Sequence, residues 1–319
     1  MTLAEVQTVY WPILVWPLLK LLLAMAVSLL LALFVEALNW THGMARLARP
    51  LIRLGHMSEV TGASFSVSFF SGMAANTMLS EAYDQGKIDK RELILANLFN
   101  SLPTYFLHLP TLFSLTVPLI KGAAVVYVGL TLAAAFLRTV IILLVSRWLL
   151  PAHTASNAAV IEKAKDGIDW RAALAKAKTR FSRKMKRVVL YTVPIYTAIF
   201  LLNHWGIFDG VQGFVTSKIT WFDPRLISII LFHVAAESTA GLAAAGALLN
   251  TGSLGQREVI LALLVGNVLA APMRAVRHQF PYYAGIFRPR LAAELLIASQ
   301  LFRVGAVIAL GVLYYWFTA

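Results

Sequence analysis

Several ionisable side chains stand inside otherwise apolar stretches of this sequence, where a charge is costly and seldom kept without a role. Glu237 lies in Ala-Glu-Ser-Thr-Ala-Gly over 236–241. Its carboxylate could bind a cation, take a proton or pair with an arginine. Arg138 and Arg303 lie near the middles of two long apolar runs. They could hold an anionic solute, or act as bolts that lock neighbouring helices through Glu81, Glu237 or backbone carbonyls; both readings stay open. His108 and His233 sit in apolar surroundings and fit helix-contact histidines better than ligands. Uncharged hydrogen-bonding groups complete the candidate substrate site: Ser71, Asn76, Asn100, Ser101, Ser238, Thr239 and Asn267.

Catalysis is a poor fit to this set. The sequence has no HExxH, Walker, paired-carboxylate or Ser/His/Asp arrangement, so it is not expected to be an enzyme. It has no cysteine, which excludes a disulfide frame, a thiolate metal site and thiol redox chemistry. No cofactor is expected beyond a coupling ion, proton or sodium. The partners expected are the lipid bilayer, a small polar solute and further copies of the chain, with no nucleic acid.

The elements that must position these residues are membrane helices. Hydrophobic residues make up 59% of the chain, charged residues 13%, and mean hydropathy is +0.72. A water-facing surface needs about a quarter charged residues. Apolar runs at 13–38, 123–150 and 291–316 are long enough to cover a hydrocarbon core. The first is not a cleavable signal, because it is too long, carries Lys20 and lacks a small-residue cleavage site.

Basic residues set the orientation. Residues 147–187 hold eleven Lys/Arg against Glu162, Asp166 and Asp169, which places the 151–187 linker in the cytoplasm. No stacking aromatics interleave its basic residues, so the run fits an anionic membrane surface better than nucleic acid. The segments 43–55, 84–91 and 274–290 are basic and fall on the same side. Both termini then lie outside, in what is expected to be a bacterial inner membrane.

The chain repeats itself. Residues 86–96, Gly-Lys-Ile-Asp-Lys-Arg-Glu-Leu-Ile-Leu-Ala, match 252–262, Gly-Ser-Leu-Gly-Gln-Arg-Glu-Val-Ile-Leu-Ala, at six of eleven positions. Each starts a helix with a capping-box pattern, Asp89 with Glu92 and Ser253 with Gln256. The charge map puts the first copy inside and the second outside, so the halves are inverted, as in secondary transporters. The fold expected is an all-α polytopic membrane protein of two inverted-topology repeats, 1–150 and 188–319, around the basic linker 151–187. The first repeat holds an N-terminal span, a re-entrant hairpin at 60–83, a broken span at 91–120 and a span at 123–150. The second holds a span, a hairpin at 226–250, a broken span at 257–287 and a span at 291–317. The breaks are expected at Asn100-Ser-Leu-Pro103 and at Gly266-Asn267 with Pro272.

The run Ser71-Gly-Met-Ala-Ala-Asn-Thr-Met-Leu-Ser-Glu-Ala-Tyr, with Gly86 and Arg91-Glu92 after it, resembles the nucleoside-recognition, or Gate, domain. That family includes spore maturation proteins A and B and the gates of ferrous-iron permeases, and is distantly similar to concentrative nucleoside transporters. The resemblance covers 58–150 and 226–316. It implies inverted repeats with re-entrant hairpins, working as an elevator and in oligomers. Residues 71–74 lack the acidic hairpin signature of the nucleoside transporters, and the pathway cysteines of the iron gates are absent. The function expected is transport or facilitated passage of a small polar or anionic solute, at a site between the repeats. The alternative is a scaffold whose linker docks protein or anionic lipid.

Overall fold

The computed structural model describes residues 6–37, 41–151, 170–206, 223–235 and 238–318, with Gly210 and Gly213. Every element among them is helical. Five helical stretches are long and apolar enough to cross a membrane: Tyr10–Val27, Gly122–Leu149, Phe181–Leu202, Gln256–Phe287 and Pro289–Phe317. Their outward faces carry large apolar side chains such as Val125, Leu144, Ile297 and Leu301. That is the surface of an all-α membrane protein, with lipid as the outer solvent.

By contacts the chain divides into two compact units. One comprises Met1–Leu107, Thr139–Thr197 and Pro281–Leu295; the other comprises His108–Arg138, Ala198–Phe280 and Leu296–Ala319. Each unit draws on segments from both sides of the linker.

The first unit is built on α1 (Trp16–Ala37), α2 (Thr41–Leu54), α3 (Glu59–Ser68) and α4 (Gly72–Asp84). Helices α3 and α4 pair closely, and Ala63, Val67, Ala74, Ala75 and Met78 form an apolar seam between them in which three alanines allow close approach. Small residues let helices approach closely, which is how a serine-rich helix packs in lipid. Each helix of the pair starts on a serine cap. Ser58 Oγ accepts from Thr61 N at 3.4 Å, and Ser71 Oγ from Ala74 N at 3.1 Å.

Helix α5 (Lys90–Phe99) follows, capped by Asp89, whose Oδ1 accepts from Glu92 N at 2.7 Å. Glu92 does not return the bond to the cap. Its Oε1 accepts instead from Ser58 N at 2.7 Å and Thr61 Oγ at 2.8 Å, tying α5 to the start of α3. Helix α6 (Ser101–Ile120) is separated from α5 by Asn100 alone, whose backbone stays right-handed at φ −65°, ψ −7°. The junction is therefore a kink rather than an unwound segment. Pro103, in the first turn of α6, has no N–H to offer the Phe99 carbonyl.

Helix α7 spans Gly122–Leu149, and α8 runs Trp170–His204 without interruption. The helix runs through the 187/188 boundary expected for the linker, so the basic stretch from 170 is one helix with the span after it. Residues 152–169 of the linker lie outside the described set.

The second unit centres on α9 (Pro224–Ala235), α10 (Ser238–Asn250) and α11 (Gln256–Arg274). Its core joins Ile229, Ile230, Val259, Ile260 and Leu263 to Ile120, Tyr127 and Val307. Two sequence expectations are corrected here. The cap of α11 is Gly255, not Ser253; Glu258 Oε2 accepts from Gly255 N at 2.7 Å. The helix also does not break at Gly266-Asn267. Gly266 is used for close helix contact, and the irregularity falls later, in a π-helical segment Ala275–Gln279 before α12 (Phe280–Phe287). The last helix, α13, is Pro289–Phe317.

The two helix-to-helix turns share one backbone path. Gly86 and Gly252 both have φ +68°, the left-handed conformation that glycine adopts without a Cβ clash. Lys87 N donates to Ala82 O at 2.9 Å, and Ser253 N to Leu248 O at 3.0 Å, which is the Schellman closure in both places.

Candidate functional site

In the first unit, polar side chains collect where α3, α4, α5 and α12 meet. Asn97 Nδ2 donates to Asn76 Oδ1 at 2.8 Å and to Tyr283 Oη at 3.2 Å. Asn100 Nδ2 donates to Ser64 Oγ at 2.6 Å, and Ser64 Oγ donates to Ala75 O at 3.2 Å. Asn76, Asn97 and Asn100 are 5%, 6% and 4% exposed. Even so, Asn97 Oδ1, Asn100 Oδ1 and Ser101 Oγ are buried without a hydrogen-bond partner. A buried polar atom left in this way costs roughly 1–3 kcal/mol. Three such atoms stand beside one kink. Their common chemistry is hydrogen-bonding oxygen, suited to the donors of a polar solute.

The same unit carries an ionic lock. Arg187 on α8 donates Nη2 to Ile286 O at 2.6 Å and to Ser80 Oγ at 3.1 Å, and Nη1 to Asp84 Oδ2 at 3.0 Å. Lys184, one turn earlier, pairs with Asp84 and, at 3.2 Å, with Glu81. Arginine's fixed fork suits such a set of oxygens. Lys184 and Arg187 thus tie α8 to α4, with Lys184 also pairing with Glu81. Arg138 donates Nε to Ala134 O of its own helix at 3.3 Å.

Asp84 ends α4, outside the candidate spans. Burial pushes its carboxyl up, but Lys184 and Arg187 outweigh burial and hold it below the usual carboxylate value. A lowered folded value means that Asp84 stabilises the fold above its ordinary titration near pH 4. That contribution is lost as pH falls through the lowered value. The wild-type melting temperature should therefore fall below about pH 4. Asp84→Asn should start lower at neutral pH and change less over the same acid range, as read in melting scans. Equal acid sensitivity in both proteins would count against the lock.

In the second unit, Asn267 is 8% exposed and its Oδ1 receives two guanidinium groups. Arg274 Nη2 donates to it at 2.5 Å and Arg303 Nη2 at 3.4 Å. His233 on α9 is 2% exposed, and neither ring nitrogen has a hydrogen-bond partner. Gly241 and Gly266 press on it: a Cβ at either would stand 2.7 or 2.9 Å from His233 Cβ.

The sequence-derived candidates therefore separate by unit. Asn76, Asn100 and Ser101 lie in the first cluster, while Ser71 is occupied as the cap of α4. Asn267 and Arg303 meet in the second. Thr239 is exposed on α10, Ser238 begins that helix, and Glu237 lies outside the described residues. Sequence reasoning passed over Asn97, Tyr283, Lys184, Arg187 and Arg274. Asn97 had a signal, since it lies three residues, about one helical turn, before Asn100 in an apolar helix. Among the described residues, no three His, Asp or Glu side chains group as a metal site.

No family model and no solved structure matches the chain. Three curated relatives, all from Methanocaldococcus jannaschii, match most of its length. Uncharacterized protein MJ0871 is 25% identical over 80% of this chain and 80% of its own. Uncharacterized protein MJ1556 is 27% identical over 79% and 80%, and uncharacterized protein MJ0880 is 22% identical over 84% and 88%.

Proposed function

We propose that the chain is a secondary transporter or facilitator for a small polar solute, built from two inverted repeats with re-entrant hairpins. The observation that carries this reading is the set of three unpartnered buried oxygens, on Asn97, Asn100 and Ser101, where the first hairpin meets the α5–α6 kink. Buried polar atoms without a protein partner carry a penalty, and a solute that supplies donors removes it when it binds.

The duplicated turn supports the repeat. At a separation of 166 residues, Gly86 and Gly252 share φ +68°, and α4 and α10 are each 13 residues long. The turn after each pairs with a helix start capped at Asp89 or Gly255. Paired hairpins and kinked helices are the parts from which secondary transporters build midplane sites. The resemblance to Gate-domain proteins points the same way, as do the basic segments that orient the chain with both termini outside. An elevator motion and a homo-oligomer belong to this reading.

A scaffold is the second reading, favoured by α8. Its Arg183 and Lys186 are exposed while Lys184 and Arg187 turn to the hairpin, leaving a basic face for acidic protein or anionic lipid.

The test is solute flux in proteoliposomes across a panel of nucleosides, polyols and small anions. Wild-type vesicles should exceed empty ones for at least one solute. Asn97→Leu, close in volume, should cut that flux by at least about tenfold. Its melting temperature should fall modestly, because Asn76 Oδ1 and Tyr283 Oη lose their donor, so flux is compared per amount of folded protein. Flux unchanged in Asn97→Leu, or no flux above empty vesicles for any solute, would favour the scaffold.

A further inference from the structure

Arg274 and Arg303 converge on Asn267 Oδ1, an uncharged acceptor. Arg274 also donates to the Asn267 carbonyl at 3.1 Å. Among the described residues, no carboxylate faces Arg274. Two guanidinium groups that share one amide oxygen repel each other. Near them stands His233, nine-tenths buried and more, with both ring nitrogens unpartnered and its side chain packed on Gly266, the residue before Asn267. Its position is fixed by Gly241 and Gly266, which leave no room for a side chain of their own. Directly after Arg274 the helix widens into the π-helical segment Ala275–Gln279, an irregularity that recurs at functional sites.

These features have one common complement. A guanidinium fork matches the two oxygens of a carboxylate or phosphate, and an imidazole N–H adds a third donor. We propose that Arg274 and His233, held by Asn267 and flanked by Arg303, form a binding site for the carboxylate or phosphate group of a small anion. The site lies wholly in the second unit and does not depend on the oxygen cluster around Asn97. It goes beyond the transport reading: anion binding without flux would defeat transport and leave the site, while flux of a neutral solute without anion binding would do the reverse.

The source of the anion is either a soluble solute or a lipid headgroup, and the experiment separates them. Purified full-length protein is treated with phenylglyoxal, and modification of Arg274 is read by peptide mass spectrometry. The additions are inorganic phosphate, succinate, succinamide as the neutral control, or nanodiscs of phosphatidylglycerol against phosphatidylcholine. Phosphate or succinate should slow Arg274 modification severalfold and raise the melting temperature, and succinamide should do neither. Protection by phosphatidylglycerol alone would assign the same site to a lipid phosphate. Arg274→Gln should abolish the melting shift, and Arg274→Lys should weaken it by about tenfold, because an ammonium cannot bind both oxygens at once. If Arg274→Gln fails to fold, protection in the wild-type protein still decides the matter. Equal modification with and without every anion, or an undiminished shift in Arg274→Gln, would overturn the proposal.

Discussion

Gly266→Val is expected to lower the stability of the second unit by about 3 kcal/mol, at the upper end of what an overpacked core costs. The side chain would begin 2.9 Å from His233 Cβ and 3.0 Å from its Cγ, inside any normal carbon contact. His233 cannot retreat, because Gly241 presses on it from α10, where a Cβ would meet His233 Cβ at 2.7 Å and its α-carbon at 2.9 Å. Three helices, α9, α10 and α11, thus meet through one imidazole and two missing side chains. A loss of that size should appear as a drop in melting temperature of roughly 6 °C or more. Gly266→Ala should show a smaller drop of the same sign. A melting temperature unchanged by valine would mean that the α9–α11 contact is looser than these distances require.

The second large effect is expected at Arg187. Replacing it by Met keeps the apolar stem and removes three hydrogen bonds, to Ile286 O, Ser80 Oγ and Asp84 Oδ2. The Ile286 carbonyl keeps Ser80 Oγ as a donor at 2.9 Å, and Asp84 keeps Lys184, so the loss is partial. It should amount to about 2 kcal/mol, since hydrogen bonds to a charged group are worth roughly 1.5–3 kcal/mol each and two acceptors retain a partner. A double-mutant cycle with Asp84→Asn isolates the ion pair. It should return a coupling of about 1 kcal/mol, reduced by salt because Asp84 is part-exposed. Additive single effects would show that Arg187 acts through Ser80 and Ile286 alone. The distinction matters for function, because this contact fixes the basic end of α8 on the hairpin that carries Asn76.

Much of the helical layout was legible in the residues. Asp89 marked the start of α5 because its carboxylate caps a free N–H, and the matched Gly86 and Gly252 both take φ +68°, which glycine adopts freely. Local rules of this kind need no partner from elsewhere in the chain. The membrane character followed just as directly, since an apolar run of span length has few other places to go.

What failed were inferences that depended on neighbours. Gly266-Asn267 read as a helix break, yet the helix continues: the glycine accommodates His233 and the asparagine side chain is occupied by Arg274 and Arg303. The pairing of Lys184 with Glu81 could not be read from the sequence either, because a hundred residues separate them along the chain. Asn97 was passed over because its meaning comes from Asn76 and Tyr283, which only folding brings within 3.2 Å. The sequence by itself determined the membrane class, the helices and the glycine turns, because those follow from the chemistry of adjacent residues. Tertiary structure decided which polar atoms pair and which stay unpartnered, because hydrogen bonds and ion pairs are set by distances of a few ångströms between segments far apart in the chain.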